Sequence, residues 1–222
     1  VGLLVSGDGM TALTIRPANE ASCADLDRVM RGEAATCQCQ RYRLERGESF
    51  GQQPVEERRH RLHDQTSCGD PEAPETSGLV AYLDGEPVGW CAVAPRSSYG
   101  GLVRNANQTA WRGRHEDRAD PTVWAVTCLY VVRAHRGHGI SRELARAALE
   151  FARSRGARLV EAYPVTERGL TWGEAHPGHL SAYEAAGFTE VHRPSKRRAV
   201  VASAQVKDTT GGLVTNPAKS SG

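Results

Sequence analysis

Residues 122–132, TVWAVTCLYVV, form an almost uninterrupted apolar run, and ISRELARAALEFARSRG (140–156) then repeats apolar side chains at helical spacing. A strand without polar alternation has both faces covered, so this one belongs in the interior of a sheet with chain packed on either side. In the helix, Ile140, Leu144, Ala147, Ala148 and Phe151 make one stripe, and Gly156 is placed to end it. Between the two lies RGHGIS (136–141), with two glycines where strand gives way to helix. A helix N-terminus exposes unpaired N–H groups and the positive end of its dipole. A glycine turn in front of it lets an anion approach with no Cβ in the way. Gly137, Gly139 and Ser141 therefore suit a phosphate or pyrophosphate, and Arg136 adds a cation.

The kind of phosphate narrows by elimination. A nucleoside-triphosphate loop needs Gly-Lys-Ser/Thr, which is absent. A dinucleotide loop needs a third glycine where Arg142 stands. Glu161 lies near where a ribose-binding acid would sit, which keeps a nicotinamide-dependent oxidoreductase as an alternative. Only about 60 residues follow Glu161, too few for the remaining strand–helix units of a doubly wound domain.

The rest of the chain reads as an α/β mixture. LTIRPA (13–18) is a first strand, and NEASCADLDRVMRG and VEERRHRLHDQ (55–65) are helices. GLVAYLDGEPVGWCAVAPR (78–96) is a hairpin around Asp84-Gly85. RLVEAYPV (158–165) is a buried strand, GHLSAYEAAG (178–187) a short helix, and FTEVHR and RAVVASAQV (198–206) are closing strands. Met10 is a more natural start than Val1, so residues 1–11 are expected to be an upstream or disordered extension. The domain is expected over 12–206, with a flexible tail over 207–222.

Residues 122–200 resemble the GNAT superfamily of acyl-CoA-dependent N-acetyltransferases. RGHGIS matches its Arg/Gln-x-x-Gly-x-Gly/Ala signature at Arg136 and Gly139, with Ser141 departing from the last small position. YEAAGF (183–188) matches the family's Tyr-x-x-x-Gly-Phe block about 40 residues later, and the pair is far more specific than either alone. LTIRPA and DGEPVGWCAVAPR resemble the family's first strand and hairpin, extending the likeness over roughly 12–203.

The resemblance implies a single α+β domain. Its mixed, mostly antiparallel, twisted sheet has six to seven strands, with splayed central parallel strands and helices on both faces. It implies acetyl-CoA as cosubstrate, held by Cys128, Leu129, Tyr130, Val131 and Val132 along the strand and by Arg136, Gly137, His138, Gly139, Ile140 and Ser141 at the turn. Tyr183 is implied as general acid and as a cofactor contact. Glu161 is the leading candidate base, with Glu174, His176 and His179 as others. A backbone N–H between Leu129 and Val131 is the expected oxyanion donor. Trp90, Trp124 and Tyr163 are candidates for an acceptor pocket, with core packing as their ordinary reading. The expected reaction is acetyl transfer to the primary amine of a small molecule, and a non-catalytic acyl-CoA-binding protein is the alternative.

Composition sets the remaining bounds. A net charge of +2 gives no field suited to nucleic acid. No apolar run is long enough for a membrane helix and no signal peptide is read, so a cytoplasmic location is expected. Three of the 28 basic residues are Lys, a bias that fits a high-GC bacterial genome. The six cysteines are unevenly spaced in a long chain, so no disulfide framework is expected. Cys37-x-Cys39 with His60 and His63 offers zinc-ligand types at a non-standard spacing; half-buried thiols near the acceptor cleft are the plainer reading, and no metal is expected. An exposed sheet edge is the expected route to a homodimer.

Overall fold

The computed structural model describes residues 2–6, 9–104 and 109–204. Strands β1 (Gly2–Ser6) and β2 (Gly9–Pro17) lead into helices α1 (Cys23–Val29) and α2 (Val55–Thr66). The hairpin β3 (Leu79–Leu83) and β4 (Glu86–Pro95), a short α3 (Gly100–Val103) and β5 (Val123–Val131) follow. Then come α4 (Ile140–Ser154), β6 (Leu159–Ala162), α5 (Trp172–Ala175), α6 (Leu180–Glu184), β7 (Thr189–Ser195) and β8 (Arg198–Ala204). The strands form one sheet in the order β1-β2-β3-β4-β5-β6-β8-β7. All neighbours are antiparallel except β5 and β6.

The seven strands from β2 onward are the sheet expected from the sequence, and β1 is an addition. Gly2–Ser6 pairs with Gly9–Leu13 across the span read as an extension. The tail expected over 207–222 lies outside the described residues.

Local chemistry accounts for the hairpin and the central helix. Asp84 (φ 48°) and Gly85 (φ 87°) both take the left-handed conformation that a two-residue turn between twisted strands requires. The helix α4 buries Ile140, Leu144, Ala145, Ala148, Leu149 and Ala152 against the sheet, close to the stripe read from its periodicity.

Strand β5 is buried along its whole length. Its Trp124, Val126, Leu129 and Val131 face α4 and α6, whereas Cys128 and Tyr130 face α1 and α2. The residues facing α4 and α6 switch from even to odd positions between Val126 and Leu129 because the register with β4 slips between Ala92 and Val93, leaving Thr127 as an extra residue. One such residue flips every later side chain to the other face.

Cys23 and Cys68 form a disulfide with Cα atoms 5.0 Å apart, a correction to the sequence expectation. The bridge joins the start of α1 to the chain just past α2, two points 45 residues apart whose proximity follows only from folding. A loop of that length gives a cross-link worth ~4 kcal/mol in the chain-entropy account. Cys37, Cys39, Cys91 and Cys128 are free.

Candidate functional site

The site is built on the divergence of β5 and β6. Their parallel pairing runs from Val123 and Leu159 to Val126 and Ala162 and then stops, while β5 continues to Val131. The opened edge is met by the segment around α5: the Leu129 N–H donates to the His176 carbonyl at 2.8 Å. Next to this contact lies a cavity of about 220 Å³ lined by Leu129, Val131, Trp172, Ala175, Gly178 and others. It shares Val131, Arg136, Ser141, His179 and Ala182 with a second cavity of about 530 Å³ at the glycine turn. The two make one groove, leading from the wedge between the strands to the N-terminus of α4.

At the turn, Gly137 (φ 86°) and Gly139 (φ 77°) both require the left-handed region, and Gly139 is the N-cap of α4. A Cβ on Gly137 would meet nothing within 4 Å, so the space beside this backbone is open. Arg142, Arg168, His135 and His179 also line the groove there. Open space, paired glycines, a helix N-terminus and the guanidinium groups of Arg142 and Arg168 fit an anionic diphosphate.

The residues expected to bind divide into two groups. Leu129, Val131, Arg136, Gly137, Gly139, Ile140 and Ser141 line the groove. Cys128 and Tyr130 do not: their side chains pack on the α1 and α2 face, where Tyr130 donates to the Arg31 carbonyl and stacks edge-on against Trp172 at 4.7 Å. The Val132 N–H is committed to the Val88 carbonyl at 2.9 Å. His138 is exposed and turned back to the His135 carbonyl. Arg136 borders the groove, but its guanidinium is held by the Val131 carbonyl and by an ion pair with Glu33. Arg168 went unrecognised in the sequence because it lies in an irregular stretch with no motif.

Glu161 does not line the groove, where the reading as the base would place it. Its carboxylate is buried, accepting from Arg96 at 3.0 Å, Arg114 at 2.6 Å and the Tyr163 hydroxyl at 3.0 Å. Arg96 is fixed in turn by the carbonyls of Asp117 and Arg118. Through Arg114 directly and through Arg96, the carboxylate ties the 109–120 loop to the sheet. Tyr163 belongs to this cluster, and Trp90 and Trp124 are core residues.

Tyr183 is fully buried behind Gly178 and donates its hydroxyl to the Pro177 carbonyl at 2.7 Å. Burial holds its phenol well above the usual range. Glu174 closes a capping box with Thr171 and pairs with Arg197, and those hydrogen bonds from Thr171 lower its pKa. His176 is pushed down to about 3, first by burial and then by the charges of Arg41 and Arg198. His179 borders both parts of the groove, with its pKa lowered by partial burial and by Arg168.

Beyond α5 lies a further pair of cavities. One of about 200 Å³ is lined by Arg41, Tyr42, Phe50, Gly173 and His176. The other, about 490 Å³, shares Arg41 and is bordered by Glu45, Glu48 and Arg104 among others. The α5 segment therefore has two sides: Trp172, Ala175 and Gly178 face the groove, and Gly173 and His176 face the second cavity.

A wedge between diverging strands, leading to a glycine turn at a helix N-terminus, is an arrangement suited to a long anionic ligand. Residues 39–168 match the family model "Acetyltransferase (GNAT) family", and the chain belongs to that family. It is accordingly an acyltransferase whose cosubstrate is acetyl-CoA. The fold is similar to a GCN5-related N-acetyltransferase from Kribbella flavida, at TM-score 0.52 and 16% identity, covering 87% of this chain and 98% of that one. It is also similar to an N-acetyltransferase from Staphylococcus aureus Mu50, at TM-score 0.50 and 13% identity, with coverage of 87% and 98%. The PaiA N-acetyltransferase from Thermoplasma acidophilum, solved in complex with coenzyme A, aligns at TM-score 0.48 and 12% identity, with coverage of 87% and 99%. No curated protein matches the sequence. The oxidoreductase alternative receives no support: the sheet has a single parallel pair rather than a doubly wound arrangement. No helix among the described residues is long and apolar enough to cross a membrane.

Proposed function

We propose that this chain transfers the acetyl group of acetyl-CoA to the primary amine of a small-molecule acceptor by direct attack, with both substrates bound. The observation that carries the reading is the end of β5–β6 pairing at Val126 and Ala162, with a groove on one side of α5 and a cavity on the other. Two ligands entering from these sides meet at His176 and Leu129.

Acetyl-CoA supplies a thioester carbonyl; the chain's own groups do the rest. Amides and the dipole at Gly137–Ser141 hold the diphosphate, with Arg168 and Arg142 as nearby cations. The Leu129 amide is the donor for oxyanion charge once it is released from the His176 carbonyl. Arg41 lines the acceptor cavity and, with Arg198, already suppresses the charge on His176. Attack requires the acceptor in its neutral amine form, and after attack the amine gives up its proton to water. Tyr183 is the donor to the departing thiolate, its hydroxyl turning from Pro177 to do so; the thiol is the more acidic of the two groups, so a hydrogen bond to sulfur suffices.

One observation favours the non-catalytic reading: both the Leu129 amide and the Tyr183 hydroxyl are occupied by backbone carbonyls. Thiol release from acetyl-CoA, measured across a panel of primary amines alongside thermal stabilisation by CoA, separates the two. The expected result is amine-dependent thiol release. Stabilisation without release throughout the panel supports the binder, and no stabilisation by CoA overturns both.

A further inference from the structure

At the junction of α1 and α2, two sulfurs and an imidazole come together. Cys23 opens α1, His63 lies in the last turn of α2, and Cys68 follows that helix. One ligand atom from each lies within 4.8 Å of the others, the one such group of three among the described residues. Asp27, one turn along α1 from Cys23, bonds the His63 Nε2 at 2.8 Å and grips Arg59 at 2.9 and 2.7 Å. All three candidate ligands are half-buried, neither sealed from solvent nor free in it.

We infer that reduction of the Cys23–Cys68 disulfide converts this corner into a binding site for one soft divalent cation of the zinc class, ligated by Cys23, Cys68 and His63. Thiolate and imidazole are the donors such an ion prefers, at roughly 2.3 and 2.0 Å, so ligand atoms already this close need only small rotations. A carboxylate bonded to a ligating imidazole is the usual orienting partner in such centres, and Asp27 occupies that place. Partial exposure leaves a fourth position for water.

Hydrogen bonds that do not involve the sulfurs hold the corner together. The Gly69 N–H donates to the Ala21 carbonyl at 2.8 Å, and the Asn19 side chain donates to the Pro71 carbonyl at 3.2 Å. Breaking the S–S bond therefore leaves the two cysteines adjacent. The chemistry balances with an external dithiol or phosphine: it delivers two electrons and is itself oxidised, and water or thiol supplies the two protons that complete both cysteines. Metal binding then displaces those two protons as the thiolates form. Disulfide and metal are mutually exclusive clamps on the same junction between α1 and α2.

The test uses the full chain, reduced with a phosphine under anaerobic conditions, and cobalt(II) as the probe. One equivalent should produce an intense thiolate-to-cobalt charge-transfer band, bleached by zinc and absent from the oxidised protein. Cys68→Ser should abolish the band, and Asp27→Asn should weaken binding by about 10- to 100-fold. A variant-free measurement accompanies these. Zinc should protect Cys23 and Cys68 of the reduced wild type from alkylation, read peptide by peptide, while leaving Cys37 and Cys39 unchanged. Absence of the band in protein whose Cys23 and Cys68 are shown to be reduced would overturn the inference. So would a band that persists in Cys68→Ser, or protection that falls on Cys37 and Cys39.

Discussion

The Leu129 amide and the His176 carbonyl meet at 2.8 Å across the gap where β6 has turned away from β5. An irregular segment thus takes the place of a neighbouring strand, and Gly178 makes this possible. Its φ is 86°, and a Cβ there would lie 2.9 Å from Leu129 Cδ2 and 3.2 Å from Tyr183 Cε2. Gly178→Ala combines backbone strain with a clash against fixed core atoms, so it should cost ~2–4 kcal/mol. Gly169 has a similar φ of 76° and no neighbour within 4 Å, so Gly169→Ala should cost only ~1 kcal/mol. Chemical denaturation of both variants checks the difference; equal losses would remove the packing part of the explanation.

Two glycines at the ends of α4 separate binding from stability. Gly139 (φ 77°) caps the N-terminus at the groove, and Gly156 (φ 85°) follows the C-terminus away from it. Alanine at either should destabilise the fold by ~1 kcal/mol. Only Gly139→Ala should also raise the KM for acetyl-CoA, by about tenfold, which corresponds to ~1.4 kcal/mol of lost binding. Steady-state kinetics at saturating acceptor decide it, and an unchanged KM in Gly139→Ala counts against the diphosphate position.

Glu161 tests whether a buried carboxylate near the wedge is chemistry or scaffold. It neutralises Arg96 and Arg114, which are 1% and 9% exposed. Glu161→Gln keeps the shape but leaves Arg96 without its counter-charge and Arg114 with Glu116 alone, with an expected loss of ~3–5 kcal/mol. The protein that remains folded should keep the wild-type pH–rate profile. Disappearance of the low-pH limb from that profile would restore Glu161 as the base.

What the sequence made legible was whatever depends on local pattern. The 136–141 turn, the α4 stripe and the Asp84-Gly85 hairpin follow from residue type and spacing, and all three are where they were expected. The parallel β5–β6 pair and its divergence were implied by resemblance rather than by periodicity. Whatever depends on distant segments meeting was not legible. Glu161 looks the same in sequence whether it faces a cleft or two arginines 65 and 47 residues away. Cys23 and Cys68 carry no spacing signal, and the Thr127 bulge, which decides that Leu129 rather than Cys128 faces the groove, has no marker in TVWAVTCLYVV.

Tyr183 carries the proposed acid role from a position with no solvent contact. Its hydroxyl is held by the Pro177 carbonyl at 2.7 Å, so Tyr183→Phe removes one neutral hydrogen bond and should cost only ~1 kcal/mol of stability. If the hydroxyl protonates the leaving thiolate, kcat should fall by ~10²-fold or more with the KM for acetyl-CoA unchanged. Turnover and CoA-induced stabilisation measured on the same preparation separate the two effects. An undiminished kcat removes Tyr183 as the acid and leaves it as packing behind Gly178.

His176 links the wedge to the pH dependence of stability. Burial, then Arg41 and Arg198, lower its folded pKa to about 3 from an ordinary value of 6.5. Between those values the unfolded chain binds a proton that the folded protein refuses, so stability falls as pH is lowered through this window. Above about pH 6.5 both states are neutral at this residue and it contributes no slope. Carboxylates and other histidines titrate in the same range, so the informative quantity is the difference between wild type and His176→Gln. Denaturation midpoints at about pH 7 and about pH 4.5 should diverge less in His176→Gln, by on the order of 1–3 kcal/mol. The sign is fixed by the mechanism: the variant loses packing at neutral pH and recovers ground relative to wild type in acid. A variant whose deficit is the same at both pH values would show that the imidazole accepts a proton in place, and it would return His176 to the list of bases for the acceptor amine.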